Sequence, residues 1–294
     1  MNTNLKYNVS AGMRYGMFFC ACVLCFIIAA FILALILRNG ATPTKKCIAT
    51  TMQDILMFIL PAIITAIVIT RRPGDFLMLV KGPGIVNMLL VFLTLIASVP
   101  AMNVIIQLNQ SIELPESMST IQQWMIESEQ SAAESIKLIL GNGSINSLIV
   151  GLLVVGVMAG LSEELFFRGT LQQIIKSTPV NKHIAVWTTA IIFSAIHMQF
   201  FGFIPRMLLG AFFGYLAIWS GSIWLAVAAH AFNNAITFTS MWLLTRSNGE
   251  IDIDTSLTPE LSLSDMPMTM ISIVLTSGLI TILYRRLNKK TDRN

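Results

Sequence analysis

Long hydrophobic runs, separated by short polar segments, dominate the chain. Most of these runs approach or exceed the roughly 20 residues that a helix needs to cross the hydrocarbon core of a bilayer. The pattern predicts about eight membrane-spanning helices, at 14–37, 52–70, 84–107, 145–176, 184–199, 203–220, 223–245 and 267–284. It therefore indicates an all-α, polytopic helical bundle that forms a single membrane domain over residues 1–294.

Three of these runs raise a question of placement. The first, 14–37, is longer than the roughly 7–15 residues of a signal-peptide core and lacks a clear small-residue cleavage site, so we interpret it as a retained anchor. The runs at 184–199 and 203–220 are short and closely spaced, so a re-entrant pair is the alternative there.

Composition supports the membrane interpretation. Hydrophobic residues make up 55% of the chain and charged residues only 12%, against about 25% charged in an average soluble domain. The expected surroundings are a lipid bilayer, and no nucleic-acid partner is expected. Cys20, Cys22 and Cys25 lie inside the first run, where we interpret them as small apolar filler rather than as disulfide or metal ligands.

Basic residues predict the orientation. If both termini face the cytoplasm, twelve basic residues fall in inner segments: Lys6, Arg14, Arg71, Arg72, Lys81, Lys176, Lys182, Arg285, Arg286, Lys289, Lys290 and Arg293. Six fall in outer segments: Arg38, Lys45, Lys46, Lys137, Arg206 and Arg246. The positive-inside rule therefore favours cytoplasmic termini.

The 108–143 segment is an outer loop in this topology. Ile121, Trp124, Met125 and Leu138 follow a helix-like spacing within it. A short helix lying at the outer membrane interface fits this pattern. A plain surface loop that connects two spans fits it equally well.

Ionisable residues inside the bilayer are the candidates for function, because each costs several kcal/mol unless it is paired or faces water. The fourth, fifth and seventh runs contain Glu163, Glu164, Arg168, His197 and His230, together with the neutral but polar Asn233 and Asn234.

Helical spacing separates the two glutamates. Residues four apart lie on one face of a helix, so Glu164 and Arg168 can form an ion pair. Glu163 has Phe167 at that spacing and gains no counter-charge on its own helix. We therefore infer that Glu164 and Arg168 are mainly structural, whereas Glu163 is the reactive carboxylate and needs partners from other helices.

Two other runs offer such partners. Phe193 and His197 are four apart, as are His230 and Asn234. A histidine can share a proton or bind a metal, and an asparagine amide can stabilise an oxyanion. Counted from the predicted inner helix ends, all these groups lie roughly 12–21 Å below the inner surface, which predicts one shared cavity open to the cytoplasm.

These motifs resemble a known family. Glu163-Glu164-x-x-x-Arg168, Phe193-x-x-x-His197 and His230-x-x-x-Asn234 are similar to the EExxxR, FxxxH and HxxxN motifs of the CPBP intramembrane proteases. That family is related to the type II CaaX prenyl endopeptidases and to bacterial Abi and bacteriocin-immunity proteins. The resemblance covers about 145–240, which it implies to be the catalytic core helices.

The resemblance implies a role for each residue. Glu163 with His197 would activate the attacking water, His230 with Asn234 would stabilise the oxyanion, and Glu164 with Arg168 would hold the site together. Glu163, His197 and His230 could also supply three ligands to a divalent metal such as zinc, with an open fourth position. Whether the site uses a metal or no cofactor is left undecided, with a slight preference for a metal-free mechanism.

The implied activity is hydrolysis of a peptide bond in a membrane-embedded or membrane-proximal protein. The substrate would be a membrane protein or a lipid-modified peptide. The overall character of the sequence is bacterial, so we expect an integral protein of the bacterial cytoplasmic membrane.

Two other functions fit the same residues. A non-catalytic bacteriocin-immunity or membrane scaffold protein of the same family would use the motif helices to bind a partner. An ion-coupled transporter would use the buried carboxylates and histidines as a proton relay. Transporters often contain repeated halves, and no such repeat is visible here, so we rank the transporter well below the other two.

Overall fold

The architecture is helical throughout the part of the chain that the structure describes. This computed structural model describes residues 7–80, 82–248 and 265–291, and no β-strand occurs among them. The helices of ten residues or more in these ranges are α1 Ala11–Leu37, α2 Pro43–Ile69, α3 Ile85–Gln110, α4 Ser119–Leu140, α5 Ile145–Lys176, α6 Lys182–Ala195, α7 Phe203–Ser220, α8 Trp224–Asn248 and α9 Met266–Thr291. The predicted all-α bundle is confirmed.

Six described helices are long and apolar enough to cross a bilayer, namely α1, α2, α3, α5, α7 and α9. They confirm an integral membrane protein. Helix α6 has 14 residues, or about 21 Å, which is shorter than the roughly 30 Å hydrocarbon core. Helix α8 has 25 residues but is not among the six, and it carries a histidine and two adjacent asparagines between its apolar residues. The count of about eight spans and the cytoplasmic position of both termini stay predictions.

Helix α2 begins earlier than the hydrophobic pattern predicts. The predicted run starts at residue 52, but the helix starts at Pro43, with Thr42 as its N-cap accepting a hydrogen bond from the Lys45 amide at 3.3 Å. The first two turns contain polar residues, so the hydrophobic pattern does not reach back to the start of the helix. Asp54, the third residue of the predicted run, therefore lies well inside the helix and is only 4% exposed.

Helix α6 ends earlier than predicted. Its predicted run reaches residue 199, whereas the helix ends at Ala195 and three turn residues follow. Met198 there has a φ of +56°, a left-handed conformation that stops a helix. His197 therefore lies beyond the helix rather than on its face.

The loop at 108–143 contains α4. This helix contacts α2, α5 and α8 and the 3-10 turn Phe200–Gly202 that precedes α7. Ile121 and Trp124 on α4 remain 45% and 44% exposed. A position of α4 at the outer interface stays a prediction.

Helices α5 and α8 cross at very close range. A Cβ built on Gly160 would lie 2.9 Å from the backbone nitrogen of Ala231, closer than real Cβ atoms come. Small residues at a helix crossing let two backbones approach in this way within a membrane. The close crossing brings Glu163 and Glu164, one turn further along α5, beside His230 of α8.

Substitution at this crossing should destabilise the bundle. Gly160→Ala should lower the unfolding free energy by about 1–3 kcal/mol, since the added methyl group overpacks the contact. Gly156→Ala on the same helix is the matched control, because its Cβ would meet Ala231 at an ordinary 3.8 Å. Thermal unfolding in detergent measures both, and equal melting temperatures for the two variants would contradict the close crossing.

Candidate active site

A buried ion pair forms the base of the site. Arg168 Nη1 donates to Glu164 Oε1 at 2.6 Å, and both side chains are 0% exposed. Arg168 Nη2 donates to the carbonyl oxygen of Gly210 at 2.8 Å, which ties α5 to α7. Charge-assisted hydrogen bonds of this length are what makes two buried charges tolerable in a low-dielectric interior.

Aromatic rings enclose this pair. The Arg168 guanidinium carbon lies 4.7 Å from the centre of the Phe193 ring, within cation–π range. The same Phe193 ring contacts the rings of His197 and His230 at 5.0 and 5.8 Å. Phe213 stacks on His230 with ring centres 5.1 Å apart. The rings exclude water from the ion pair and hold both imidazoles in place.

The backbone around the two glutamates departs from a regular α-helix. Helix α5 contains π-helical segments at Leu152–Met158 and Phe167–Leu171, on either side of Glu163 and Glu164. A third π-helical segment, Asp54–Ile59, lies in α2, which packs against this part of α5. Segments of this kind are rare and occur frequently at functional sites.

His230 is fixed in one orientation by Glu164. Its Nδ1 lies 2.9 Å from Glu164 Oε1. An ionised carboxylate only accepts hydrogen bonds, so Nδ1 carries the hydrogen and donates it. In the neutral ring Nε2 is then an acceptor, and it lies 3.9 Å from Glu163 Oε2.

His197 is fixed in the same way by a backbone carbonyl. Because α6 ends at Ala195, the His197 amide does not take the Phe193 carbonyl as a helical residue would, and it bonds to Ser194 O at 3.4 Å. The His197 side chain takes that carbonyl with Nδ1 at 2.7 Å. Its Nε2 is therefore also an acceptor in the neutral ring, 3.8 Å from Glu163 Oε2.

Glu163 completes a cluster of three acceptors. Its Oε2 is buried and has no hydrogen-bond partner, and the two imidazole Nε2 atoms that face it are too distant for direct bonds. Three converging lone pairs require hydrogens from another molecule. A water about 2.8 Å from each atom of a pair would span the observed separations.

Asn234 lies on α8 one turn beyond His230. Its Nδ2 donates one hydrogen to the carbonyl oxygen of Val155 at 3.0 Å. The amide nitrogen carries a second hydrogen that this bond does not use. Both Asn233 and Asn234 line the cavity beside the acceptor cluster.

A cavity of about 780 Å³ contains the cluster. Apolar side chains such as Ile106, Ile126, Leu209 and Met241 form much of its wall. The helix ends that it reaches are the C-terminal ends of α3, α6 and α8 and the N-terminal parts of α5 and α7, with α4 alongside. This is the side that the charge pattern assigns to the exterior, so the predicted cytoplasmic opening and the predicted cytoplasmic termini are incompatible.

Two groups at the site were missed from the sequence. Asp54 comes close enough to Ser162 and Glu163 to interact with both, and its Oδ2 has no partner. Asp54 lies inside the predicted run at 52–70, so an acid within an apolar helix was the available signal, but it was not among the candidates named from the sequence. Arg206, whose charge acts on Glu163 and His197, was assigned only to the topology count.

Arg206 is held by the turn between α6 and α7. Its two terminal nitrogens donate to the backbone and side-chain oxygens of Gln199 at 3.1 and 2.9 Å. Glu129 of α4 accepts from Gln199 Nε2 at 3.3 Å and from the Phe201 amide at 3.1 Å. Helix α4 is thereby joined to one wall of the cavity.

The acceptor cluster has the right chemistry for zinc but not the right spacing. Two imidazoles and a carboxylate are common zinc ligands, and bonds of about 2.0–2.2 Å place tetrahedral ligand atoms roughly 3.3–3.5 Å apart. The Nε2–Oε2 distances here are 3.8 and 3.9 Å. No group of three or more His, Cys, Asp or Glu side chains in the described ranges is arranged to hold a metal ion. We derive no step through a metal.

Comparison with known proteins gave a match to one region. Residues 145–236 match the family model described as type II CAAX prenyl endopeptidase Rce1-like. The matched region includes all three motifs, from the glutamates of α5 to Asn234 of α8. Comparison with curated proteins found no match, and neither did comparison with solved structures.

The two adjacent glutamates should respond differently to the same substitution. Glu164→Gln should lower the unfolding free energy by about 3–5 kcal/mol, because it leaves the Arg168 charge buried without a counter-charge. Glu163→Gln should cost about 1 kcal/mol or less, because its Oε2 has no partner to lose. Chemical or thermal unfolding in detergent compares the two, and equal losses would contradict the division of roles.

Proposed function

We propose that this protein is an intramembrane endopeptidase, because residues 145–236 match the type II CAAX prenyl endopeptidase Rce1-like family model and contain all three motifs. It hydrolyses a peptide bond of a membrane-embedded or membrane-proximal protein by means of a water activated by Glu163 and His197. The observation that carries the proposal is the unpartnered Glu163 Oε2 facing two imidazole Nε2 atoms in a cavity. Such a cluster holds a water by its hydrogens and leaves the water oxygen free to attack.

The first step forms the carbon–oxygen bond. The bound water donates one hydrogen to Glu163 Oε2 and the other to His197 Nε2, which orients its lone pair. As the water oxygen attacks the scissile carbonyl carbon, the proton moves to Glu163 and the carbonyl π electrons move to the carbonyl oxygen. Holding the water between two fixed acceptors lowers the entropic cost of this step.

The oxyanion that this step creates on the carbonyl oxygen must then be stabilised. Asn234 supplies the amide hydrogen that Val155 does not use. We propose His230 as the second donor, with its Nδ1 hydrogen kept by Glu164. Its Nε2 is an acceptor in the resting site and takes this role only after it has gained a proton. Collapse of the intermediate breaks the carbon–nitrogen bond, and the proton held by Glu163 passes to the leaving nitrogen.

The remaining groups position these residues. Glu164 orients His230 and is itself held by Arg168. Phe193 orients His197 through its carbonyl oxygen and supports both imidazoles with its ring. The apolar cavity wall suits a substrate segment that is itself apolar, whether a transmembrane helix end or a lipid-modified peptide.

Loss of the base should abolish cleavage without unfolding the protein. Glu163→Ala should lower the hydrolysis rate by about 10²–10⁴-fold or more, and His197→Gln should produce a loss within the same range. The measurement is cleavage of a library of internally quenched apolar peptides by the purified chain in proteoliposomes. Glu134→Ala, on the exposed side of α4, is the control and should retain full activity.

The alternative function makes the opposite prediction. A bacteriocin-immunity or scaffold protein would retain its protective effect in cells when Glu163 or His197 is replaced. If both variants are folded and protect cells as well as the parent chain does, peptide hydrolysis is not the activity.

Activity should not depend on a removable metal. Because the cluster is wider than a zinc site, hydrolysis should continue after treatment with EDTA or 1,10-phenanthroline, measured with the same peptides. A zinc peptidase treated in parallel shows that the chelators work. About one zinc per chain in the purified protein, together with loss of activity on its removal and recovery on its return, would refute a metal-free mechanism.

A further inference from the structure

The polar groups that line the cavity open toward one end of the bundle. The helix ends on that side are joined by direct contacts. The Ile204 amide donates to Asn109 Oδ1 at 2.7 Å, and Trp242 Nε1 donates to the Ser144 carbonyl at 2.9 Å. The ends of α3, α5, α7 and α8 at which these contacts lie are the ones that border the cavity. We call this end the cavity face.

The other end of the bundle is closed beneath the site. Ile174 of α5, Leu216 of α7 and Leu225 of α8 are fully buried there, as is Ile223 in the turn before α8. The connection between α2 and α3 packs against this end, where the Ile223 amide donates to the Met78 carbonyl at 3.1 Å. No residue of these closing layers lines the cavity. A substrate therefore reaches Glu163 from the cavity face.

Basic residues accumulate at the closed end. The Asn8 amide donates to the Ile69 carbonyl at 3.0 Å, which places the start of α1 beside the end of α2. Arg286 Nε donates to Asn87 Oδ1 at 2.9 Å, which places the end of α9 beside the start of α3. The described basic residues at this end are Arg14, Arg71, Arg72, Lys176, Lys182, Arg285 and Arg286, whereas Arg38, Lys45, Lys46, Lys137, Arg206 and Arg246 belong to the cavity face. By position in the full sequence, the segments on the two sides hold twelve and six basic residues. The positive-inside rule makes an end of this kind cytoplasmic.

The acidic residues have the opposite distribution. Glu113, Glu116, Glu127 and Glu134 lie in or next to α4, on the cavity face. Acids contribute little to the orientation itself.

We propose that the site opens on the extracytoplasmic side of the membrane. Its substrates are then membrane proteins or membrane-bound peptides whose scissile bond lies in the outer half of the bilayer or just outside it. The orientation follows from the packing and the charges alone, whereas the substrate class also rests on the proposed peptidase activity. A cytoplasmic peptide cannot reach Glu163 without crossing the packed closed end.

Cysteine labelling tests the orientation without requiring activity. Cys20, Cys22, Cys25 and Cys47 are replaced by alanine, and one cysteine is introduced by Ile112→Cys on the cavity face or by Val180→Cys at the closed end. These positions are 50% and 37% exposed. Spheroplasts of a bacterial host that express the full chain are treated with a membrane-impermeant maleimide, before and after permeabilisation. Thermal unfolding of the purified variants checks that both are folded.

We expect the Ile112→Cys chain to be labelled in intact spheroplasts and the Val180→Cys chain only after permeabilisation. The reverse pattern, labelling of both chains in intact spheroplasts, or labelling of neither would overturn the proposed orientation.

A second measurement separates the orientation from the activity. Internally quenched peptides that do not cross membranes are added to right-side-out and inside-out vesicles containing the chain. Cleavage by right-side-out vesicles alone is the expected result, and cleavage by inside-out vesicles alone would overturn the orientation. A third outcome is that neither vesicle preparation cleaves the peptides, although the labelling is as expected and is unchanged when Glu163→Ala is added to the single-cysteine chains. In that case the peptidase proposal fails and the orientation stands.

Discussion

The double hydrogen bond at Glu164 Oε1 is the contact on which the site depends. That one oxygen accepts from Arg168 Nη1 at 2.6 Å and from His230 Nδ1 at 2.9 Å. It joins α5 to α8, and Arg168 extends the link to α7 through the carbonyl oxygen of Gly210. A buried carboxylate that accepts hydrogen bonds from two donors holds both donors in fixed positions. Moving either donor away would leave a charge unpaired in a low-dielectric interior.

The geometry of the reactive groups follows from that contact. By taking the Nδ1 hydrogen of His230, Glu164 turns the Nε2 lone pair of that ring toward Glu163. The premature end of α6 has the same effect on His197, whose Nδ1 hydrogen goes to the Phe193 carbonyl. Three acceptors then face one another with no donor among them, an arrangement that is unfavourable in an apolar interior unless a water or another donor occupies it.

The two ends of the bundle differ, and the cavity opens at only one of them. The packed layers around Ile174 and Leu225 close the bundle on the side where basic residues accumulate, and α4 borders the opening on the opposite side. Arg206 and Glu129, joined through Gln199, place charged groups at that opening. A molecule that enters the cavity must therefore come from the end of the bundle opposite the packed layers.

The sequence by itself determined the helical bundle, the pairing of Glu164 with Arg168 and the candidate set of Glu163, His197, His230 and Asn234, because hydrophobic run length and four-residue spacing are local properties. Tertiary structure decided the rest. Three features depend on contacts between residues distant in sequence: the point at which α6 stops, the nitrogen of each histidine that carries the hydrogen, and the end of the bundle at which the cavity opens. Asp54 shows the same limit, because only the packing of α2 against α5 brings that acid beside Glu163.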